Sequence, residues 1–306
     1  MPQTGESASR ANACAVARVL VTRPAHDAER WVQQLQQSGF AAEALPLIEI
    51  APACAAPAVA ALRQTWQTLD RYAACLFVSG NAVDYFFEQN PPVTPCLKAQ
   101  SAINIVADGA RRAIPSSLRF MAPGPATAAA LVARGISALQ IDAPPADALQ
   151  FDSAALWQVI GQRDWRGCRV LVVRGQRQGV QSDSAGSTGR DWITRQWQAA
   201  GAEVDFINVY ERRVPSLTVD QLGRARVASA DGSVWLFSSS EAVANLTLLC
   251  SEGGFPALDW SQARAVATHP RIAETVRAAG WGVVVESRPA LNDILGGLRS
   301  IESGYT

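Results

Sequence analysis

Short apolar runs alternate along the chain with stretches in which apolar residues recur at helical spacing. The runs VLV at 19–21 and VLVV at 170–173 are typical of buried strands. Between such runs, Trp31, Val32 and Leu35 recur on one face of a predicted helix. A weaker strand is predicted at 103–106. The alternation of strand and helix predicts an α/β fold, in which parallel sheets are covered by helices on both faces.

Two segments, 43–52 and 204–215, run on from a predicted strand into extended chain and end at a proline. A strand that ends a domain usually meets a turn residue within one or two positions. We therefore interpret both segments as connectors between two domains.

The second half of the chain repeats the first half in the same order. The matched segments are VLVTRP at 19–24 with VLVVRG at 170–175, LFVSGNAV at 76–83 with LFSSSEAV at 236–243, and PGPAT at 123–127 with THPRI at 268–272. This alignment of the two halves matches Arg174 with Arg23 and Ser239 with Ser79. Because several matches agree in order, the sequence predicts a tandem duplication of one α/β unit.

Composition fits two globular domains and argues against several classes of partner. The 306 residues include 27 basic and 27 acidic side chains, which does not indicate binding to nucleic acid or to a membrane. The six cysteines form no C-x-x-C pair, and with two histidines a metal site is not expected. Residues 1–17 lack the apolar core of a signal peptide, so we expect a flexible leader and a cytoplasmic protein.

Common nucleotide-binding and hydrolase motifs are missing from the sequence. No G-x-G-x-x-G, P-loop or G-x-S-x-G follows a predicted strand. The sequence therefore gives little support to a dinucleotide-dependent enzyme, a nucleoside triphosphatase or a hydrolase.

Polar residues cluster where predicted strands turn into helices, and each cluster has two interpretations. Helix N-termini carry unpaired N–H groups and partial positive charge, which suit carboxylates, but Ser and Asn are also ordinary N-caps. Arg271 could hold a carboxylate bidentately, whereas His269 is favoured as a cap or as a satisfied surface group rather than as a ligand-binding residue. Arg23 and Arg174 end matching strands and either bind a ligand or brace a connector.

Taken in order, these segments resemble the uroporphyrinogen-III synthase family over residues 18–300. The matching pieces are VLVTRP at 19–24, PLIEI at 46–50, FVSGNAV at 77–83, GPAT at 124–127 with Ala130 and Leu131, Asp152 and Ser153 with Leu156, VVRG at 172–175, VYER at 209–212, FSS at 237–239 and THPRIA at 268–273. The chain departs from the family pattern in the long Gly/Ser/Gln-rich segment 176–189 and at Arg271 and Ile272.

The resemblance implies two related α/β domains joined by a two-stranded connector, with the chain crossing over and back. The first domain would contain residues 18–48 and 213–306, and the second residues 49–212. It also implies a cofactor-free, monomeric lyase of haem biosynthesis. Its substrate would be hydroxymethylbilane, a linear tetrapyrrole with many carboxylates, which loses water and closes with ring D inverted.

On this resemblance, the substrate would lie in a cleft between the domains and be held by amides at helix N-termini. Tyr210 is the catalytic candidate, as a proton or hydrogen-bond donor to the departing hydroxide, although it could instead simply pack at a domain junction. The candidate substrate-binding residues are Arg23, Ser79, Gly80, Asn81, Gly124, Thr127, Ser153, Arg174, Gly175, Ser238, Ser239, Ser240, His269 and Arg271. The alternative function is a non-catalytic two-lobed protein that binds a small anionic ligand.

Overall fold

The computed structural model describes residues 18–89, 114–179, 188–252 and 258–304. The predicted leader at 1–17, the weak strand at 103–106 and most of the segment 176–189 lie outside these residues. The described chain divides into two compact units at Glu49/Ile50 and at Arg213/Val214. Unit 1 contains the residues up to Glu49 and from Val214 onward, and unit 2 contains the residues between.

The described residues form short strands and helices that alternate along the chain. The strands are β1 (Val19–Val21), β2 (Ala42–Ala44), β3 (Glu49–Pro52), β4 (Ala74–Phe77), β5 (Arg119–Met121), β6 (Ile141–Asp142), β7 (Arg169–Arg177), β8 (Glu203–Arg213), β9 (Val234–Phe237), β10 (Arg264–Ala267) and β11 (Val283–Glu286). The helices are α1 (Ala25–Gln37), α2 (Ala56–Gln67), α3 (Gly80–Glu88), α4 (Pro125–Ala133), α5 (Ser153–Ile160), α6 (Thr188–Ala199), α7 (Val219–Val227), α8 (Ser240–Glu252), α9 (Pro270–Ala278) and α10 (Leu291–Ser303). None of these helices is long and apolar enough to cross a bilayer.

The sheet of unit 1 has the strand order β11-β10-β9-β1-β2, and all of its pairings are parallel. The opening strand β1 lies in the middle, with Val19 opposite Val234 of β9 and Ala42 of β2. The first strand of the described residues therefore belongs to the same sheet as β9, β10 and β11, which lie more than 200 residues later in the chain. Side chains of α1 and α10, such as Leu35 and Leu298, pack on one face of this sheet.

The sheet of unit 2 has the order β3-β8-β7-β4-β5-β6, with parallel pairing from β8 to β6. Its two faces carry separate cores. Cys75 and Phe77 face a core with helices α2, α3 and α4, whereas Leu76 faces a core with α5 and α6 that includes Trp197. Since successive strand residues point to opposite faces, helices on both faces require the continuous apolar runs seen in the sequence.

The prediction of an α/β fold with parallel sheets is confirmed. The two sheets also share one spatial order, because β2-β1-β9-β10-β11 in unit 1 corresponds to β8-β7-β4-β5-β6 in unit 2. The matched segments at 19–24 and 170–175 occupy the corresponding strands β1 and β7. This agreement supports a tandem duplication, which we keep as a proposal.

Candidate functional site

The carboxyl ends of parallel strands meet at one edge of a sheet, and ligands of open α/β sheets bind where the strand order reverses. In unit 1 the order reverses between β1 and β9, and in unit 2 between β7 and β4. Arg23 and Ser238 follow β1 and β9, and Ser79 follows β4. These three predicted residues therefore lie at or near the carboxyl edge of their own sheet.

Tyr210 lies near the carboxyl end of β8 and is 3% exposed. Its hydroxyl is 3.1 Å from Oγ of Ser79, and either group can donate that hydrogen bond. Ser79 is also the N-cap of α3, because its Oγ accepts a hydrogen bond from the backbone N–H of Ala82 at 3.2 Å. The phenol is thus held at a helix N-terminus, where negative charge is stabilised.

A bulge in β8 decides which face of the sheet Tyr210 occupies. Arg174 of β7 pairs with Asn208, but the next residue, Gly175, pairs with Tyr210, so Val209 is skipped. A skipped residue breaks the alternation of faces. As a result Val209 and Tyr210 are consecutive yet both buried in the core on the α3 side of the sheet.

Gly175 and Tyr85 set the space that the Tyr210 ring occupies. A Cβ atom on Gly175 would lie 2.2 Å from Cε2 and Cζ of Tyr210, well inside contact distance. Tyr85 of α3 stacks on the same ring, with centroids 5.8 Å apart and planes 27° apart. The absence of a side chain on Gly175 therefore leaves room for the ring of Tyr210. That Gly175 itself contacts the substrate stays a prediction.

Arg174 lies on the face of the sheet opposite to Tyr210 and braces β7 to β8. Its Nε donates a hydrogen bond to Oδ1 of Asn208 at 3.0 Å. Its guanidinium also lies 4.5 Å from the ring centroid of Phe206. Of the two roles that the sequence left open for Arg174, these contacts favour bracing.

Arg23, at the matching position in unit 1, has different surroundings. Its guanidinium lies 4.6 Å from the ring centroid of Trp31, and its buried Nε has no hydrogen-bond partner among the described residues. Burial lowers the pKa of Arg23 to about 10, an effect that Asp27 opposes and Arg30 reinforces. Arg23 is thus a cation without a bonded carboxylate in the described part of the chain.

Several predicted residues at helix N-termini act as caps. Oγ of Ser239 accepts a hydrogen bond from the N–H of Glu241 at 3.1 Å, at the start of α8. Nδ1 of His269 accepts one from the N–H of Arg271 at 3.2 Å, as the capping interpretation predicts. Ser240 accepts a hydrogen bond from the hydroxyl of Thr275 at 3.2 Å, so the first residue of α8 is linked to the second turn of α9.

The remaining predicted residues lie at helix N-termini that differ in whether a side chain already caps the backbone N–H groups. Gly80 and Asn81 form the first turn of α3, and Gly124 precedes α4 without a side-chain cap while Thr127 is buried in its first turn. At α5, Asp152 accepts hydrogen bonds from the N–H groups of Ala154 and Ala155. A carboxylate already occupies the helix start beside Ser153, which makes that position unfavourable for a second one.

A cavity of ≈ 470 Å³ lies at the amino-terminal edge of the unit 2 sheet, away from these residues, and is lined by Tyr72, Arg119 and Arg163 among others. Both arginines are bound to the buried carboxylate of Asp142, which Arg163 contacts twice at 2.6 Å. Burial would raise the pKa of Asp142, but the hydrogen bonds and charges of Arg163 and Arg119 hold it below its usual range. Because these cations are already paired, the cavity is a weak candidate for an anion site.

Comparison with known proteins places the chain in a family. A family model described as "Uroporphyrinogen-III synthase HemD" matches residues 29–296. The chain belongs to the uroporphyrinogen-III synthase family. This family consists of enzymes of tetrapyrrole synthesis that act on a small-molecule substrate.

A solved structure of a uroporphyrinogen III synthase resembles the chain in fold. A mutant uroporphyrinogen III synthase from the extremely thermophilic bacterium Thermus thermophilus has a TM-score of 0.52 at 15% identity, with 94% of this chain and 100% of that chain covered. Uroporphyrinogen-III synthetase from Helicobacter pylori has a TM-score of 0.49 at 14% identity, with 94% and 100% covered. At 15% identity, the Thermus structure supports the fold of this uroporphyrinogen-III synthase family member.

The sequence of this uroporphyrinogen-III synthase family member gave no role to Tyr85, and Asp152 entered only as a piece that matches the family. Tyr85 stands beside Phe86 and Phe87 in a helix, where nothing local marks it as the neighbour of Tyr210. The capping role of Asp152 could have been found, because an Asp directly before a predicted helix is a standard N-cap. Within the described residues, no group of His, Cys, Asp and Glu side chains could hold a metal ion.

Proposed function

We propose that this protein is a uroporphyrinogen-III synthase that cyclises hydroxymethylbilane, with loss of water and inversion of ring D, in haem biosynthesis. The observation that carries the proposal is the family match over residues 29–296. The reaction is a lyase reaction: the terminal hydroxyl of the substrate leaves and is released as water, and the substituted carbon of ring D attacks the resulting cation. The bond from that carbon to its original methylene bridge then breaks and forms again at the unsubstituted carbon of ring D, which loses a proton, so that ring D is inverted. No cofactor takes part in the proposed reaction.

We propose that the carboxylates of the substrate bind at the starts of helices. Each pyrrole of hydroxymethylbilane carries an acetate and a propionate, so the protein must bind many negative charges. The first turns of α3, α4, α8 and α9 supply backbone N–H groups and partial positive charge. Binding of this kind also positions the chain for ring closure, and positioning can lower a barrier by up to about 7–11 kcal/mol.

We propose that Tyr210 assists the departure of hydroxide. Its O–H, now paired with Ser79 at 3.1 Å, would donate to the leaving oxygen in the substrate complex. The cation that remains is stabilised by the pyrroles themselves. The contribution of Tyr210 is therefore expected to be modest, and most of the rate enhancement would come from positioning.

Product analysis tests the proposed function directly. The purified chain is incubated with enzymatically generated hydroxymethylbilane, and the products are oxidised to porphyrins and separated as isomers. Type III product in excess over the spontaneous type I isomer supports a synthase, with heat-denatured protein as the control. Type I product alone would contradict it, and retained ligand binding would then favour the two-lobed anion-binding protein.

The cytoplasmic location and the monomeric state stay predictions. Sedimentation velocity at several concentrations tests the second, because a monomer of 32.6 kDa would show no dependence of its mass on concentration.

A further inference from the structure

Arg23 lies two residues after β1, and Arg174 lies within the corresponding strand β7, but only Arg174 is engaged by its own sheet in the described part of the chain. Arg174 donates to Asn208 at 3.0 Å and lies over Phe206. Arg23 makes no hydrogen bond or ion pair to another described residue, and its Nε is enclosed without a partner. A buried donor that lacks a partner is unfavourable unless a ligand satisfies it.

The carboxylate that is nearest to Arg23 along the chain is already paired with another arginine. Asp27 lies on the first turn of α1, but it accepts a hydrogen bond from Arg30 at 2.6 Å. Arg30 also adds positive charge near Arg23. Asp27 is near enough to favour the charged form of Arg23, but it forms no hydrogen bond with the guanidinium, which lies beside the aromatic ring of Trp31.

The position of Arg23 in the sheet is the one at which α/β folds bind ligands. The ends of β1 and β9 are tied together, because Oγ1 of Thr22 donates to the carbonyl of Leu236 at 2.8 Å. The strand order reverses between these two strands. At the same edge, α1 begins after Pro24 without a side-chain cap, so the N–H groups of its first turn are available.

We infer that Arg23 is a carboxylate-binding residue of unit 1, whereas Arg174 is a structural brace in unit 2. The inference deepens the proposed function and rests on it, since it names the group that receives one acetate or propionate of the substrate. A guanidinium can hold a carboxylate through two parallel hydrogen bonds. The hydrogen bonds that the Arg23 guanidinium lacks in the free protein would then form when the carboxylate binds.

The test compares Arg23→Met with its matched control Arg174→Met in the full chain. Thermal unfolding is followed by circular dichroism in sodium citrate and in sodium chloride of equal ionic strength. In chloride, we expect Arg23→Met to unfold at the wild-type temperature or above it, because a desolvated cation is removed. Arg174→Met should unfold at a lower temperature, because a hydrogen bond to Asn208 is lost.

Citrate, a tricarboxylate, reports on the site without requiring turnover. Citrate should stabilise wild type and Arg174→Met relative to chloride, and Arg23→Met should bind it about 10–100-fold more weakly. Arg23→Lys should recover part of the affinity, because it keeps the charge but not the paired donors. Equal citrate binding by wild type and Arg23→Met, or a citrate effect that chloride reproduces, would overturn the inference.

Activity measurements separate this inference from the proposed function. If wild type yields type III product, Arg23→Met should raise the KM for hydroxymethylbilane about 10–100-fold. An unchanged KM in Arg23→Met would refute the role of Arg23 and leave the synthase proposal intact. If wild type yields type I product alone, the synthase proposal fails, and the citrate measurement still decides whether Arg23 binds carboxylates.

Discussion

Gly175→Ala should destabilise unit 2 through a collision with Tyr210. The added Cβ would lie 2.2 Å from Cε2 and Cζ of the ring and 2.6 Å from Cδ2. The ring cannot easily give way, because it is 3% exposed, stacks on Tyr85 and is hydrogen-bonded to Ser79.

The expected change in the free energy of unfolding follows from two opposed effects. Forcing an extra methyl group into a packed core costs about 1–3 kcal/mol. Replacing a strand glycine by alanine recovers about 0.5–1 kcal/mol of backbone entropy. We therefore expect a net loss of up to about 2.5 kcal/mol in the free energy of unfolding.

A double-mutant cycle with Tyr210→Ala isolates the collision. Tyr210→Ala alone should cost about 3–5 kcal/mol, as for other buried aromatic residues. In that background the ring is absent, so Gly175→Ala should be neutral or stabilising. The two substitutions should therefore couple by about 1–3 kcal/mol.

Urea unfolding measured by circular dichroism gives each value. Gly296→Ala is the matched control, because its Cβ would meet nothing within 4 Å and it lies in α10. It should stabilise by about 0.5–1 kcal/mol. Additivity of Gly175→Ala and Tyr210→Ala within about 0.5 kcal/mol would refute the steric account.

Three further predictions concern the phenol, its cap and the buried carboxylate. Tyr210→Phe should slow type III product formation by about tenfold, the effect of losing one hydrogen bond worth about 1.4 kcal/mol in the transition state, while the protein stays folded. A wild-type initial rate would remove Tyr210 from the mechanism. Ser79→Ala should lower the free energy of unfolding by about 2 kcal/mol, since the α3 cap and the partner of Tyr210 are both lost. Ser239→Ala, which removes a cap alone, should cost about 1 kcal/mol, and equal losses would speak against the Ser79–Tyr210 bond. Asp142→Asn should cost about 2–3 kcal/mol near neutral pH, less than for fully buried pairs because Arg119 and Arg163 are partly exposed. The pKa of Asp142 is lowered in the folded state, so its contribution is complete above the unfolded carboxyl pKa and is lost as the pH falls through the folded value. The difference between wild type and Asp142→Asn should therefore shrink in acid, and a pH-independent difference would contradict the pairing.

Local patterns predicted the strands, the parallel sheets and several caps. Strands covered on both faces need consecutive apolar residues, and this is why VLV at 19–21 and VLVV at 170–173 could be recognised. The capping role of His269 was predictable for a similar reason, because a polar side chain before a helix serves its nearest N–H groups. The family resemblance likewise followed from motifs whose order is a property of the chain itself.

Long-range pairing decided what local patterns could not. Regular alternation would put Tyr210 on the face of Asn208, and a single skipped residue in the pairing of β7 with β8 moves it to the opposite face, against Ser79. Arg23 and Arg174 occupy equivalent sequence positions, yet Asn208 and Phe206 of the neighbouring strand engage Arg174, while Arg23 faces Trp31. The sequence alone determined the fold class and the family, because periodicity and motif order can be read along the linear chain without knowing which strands pair. The tertiary structure decided which polar groups meet, because that depends on the register between strands that are distant in the chain.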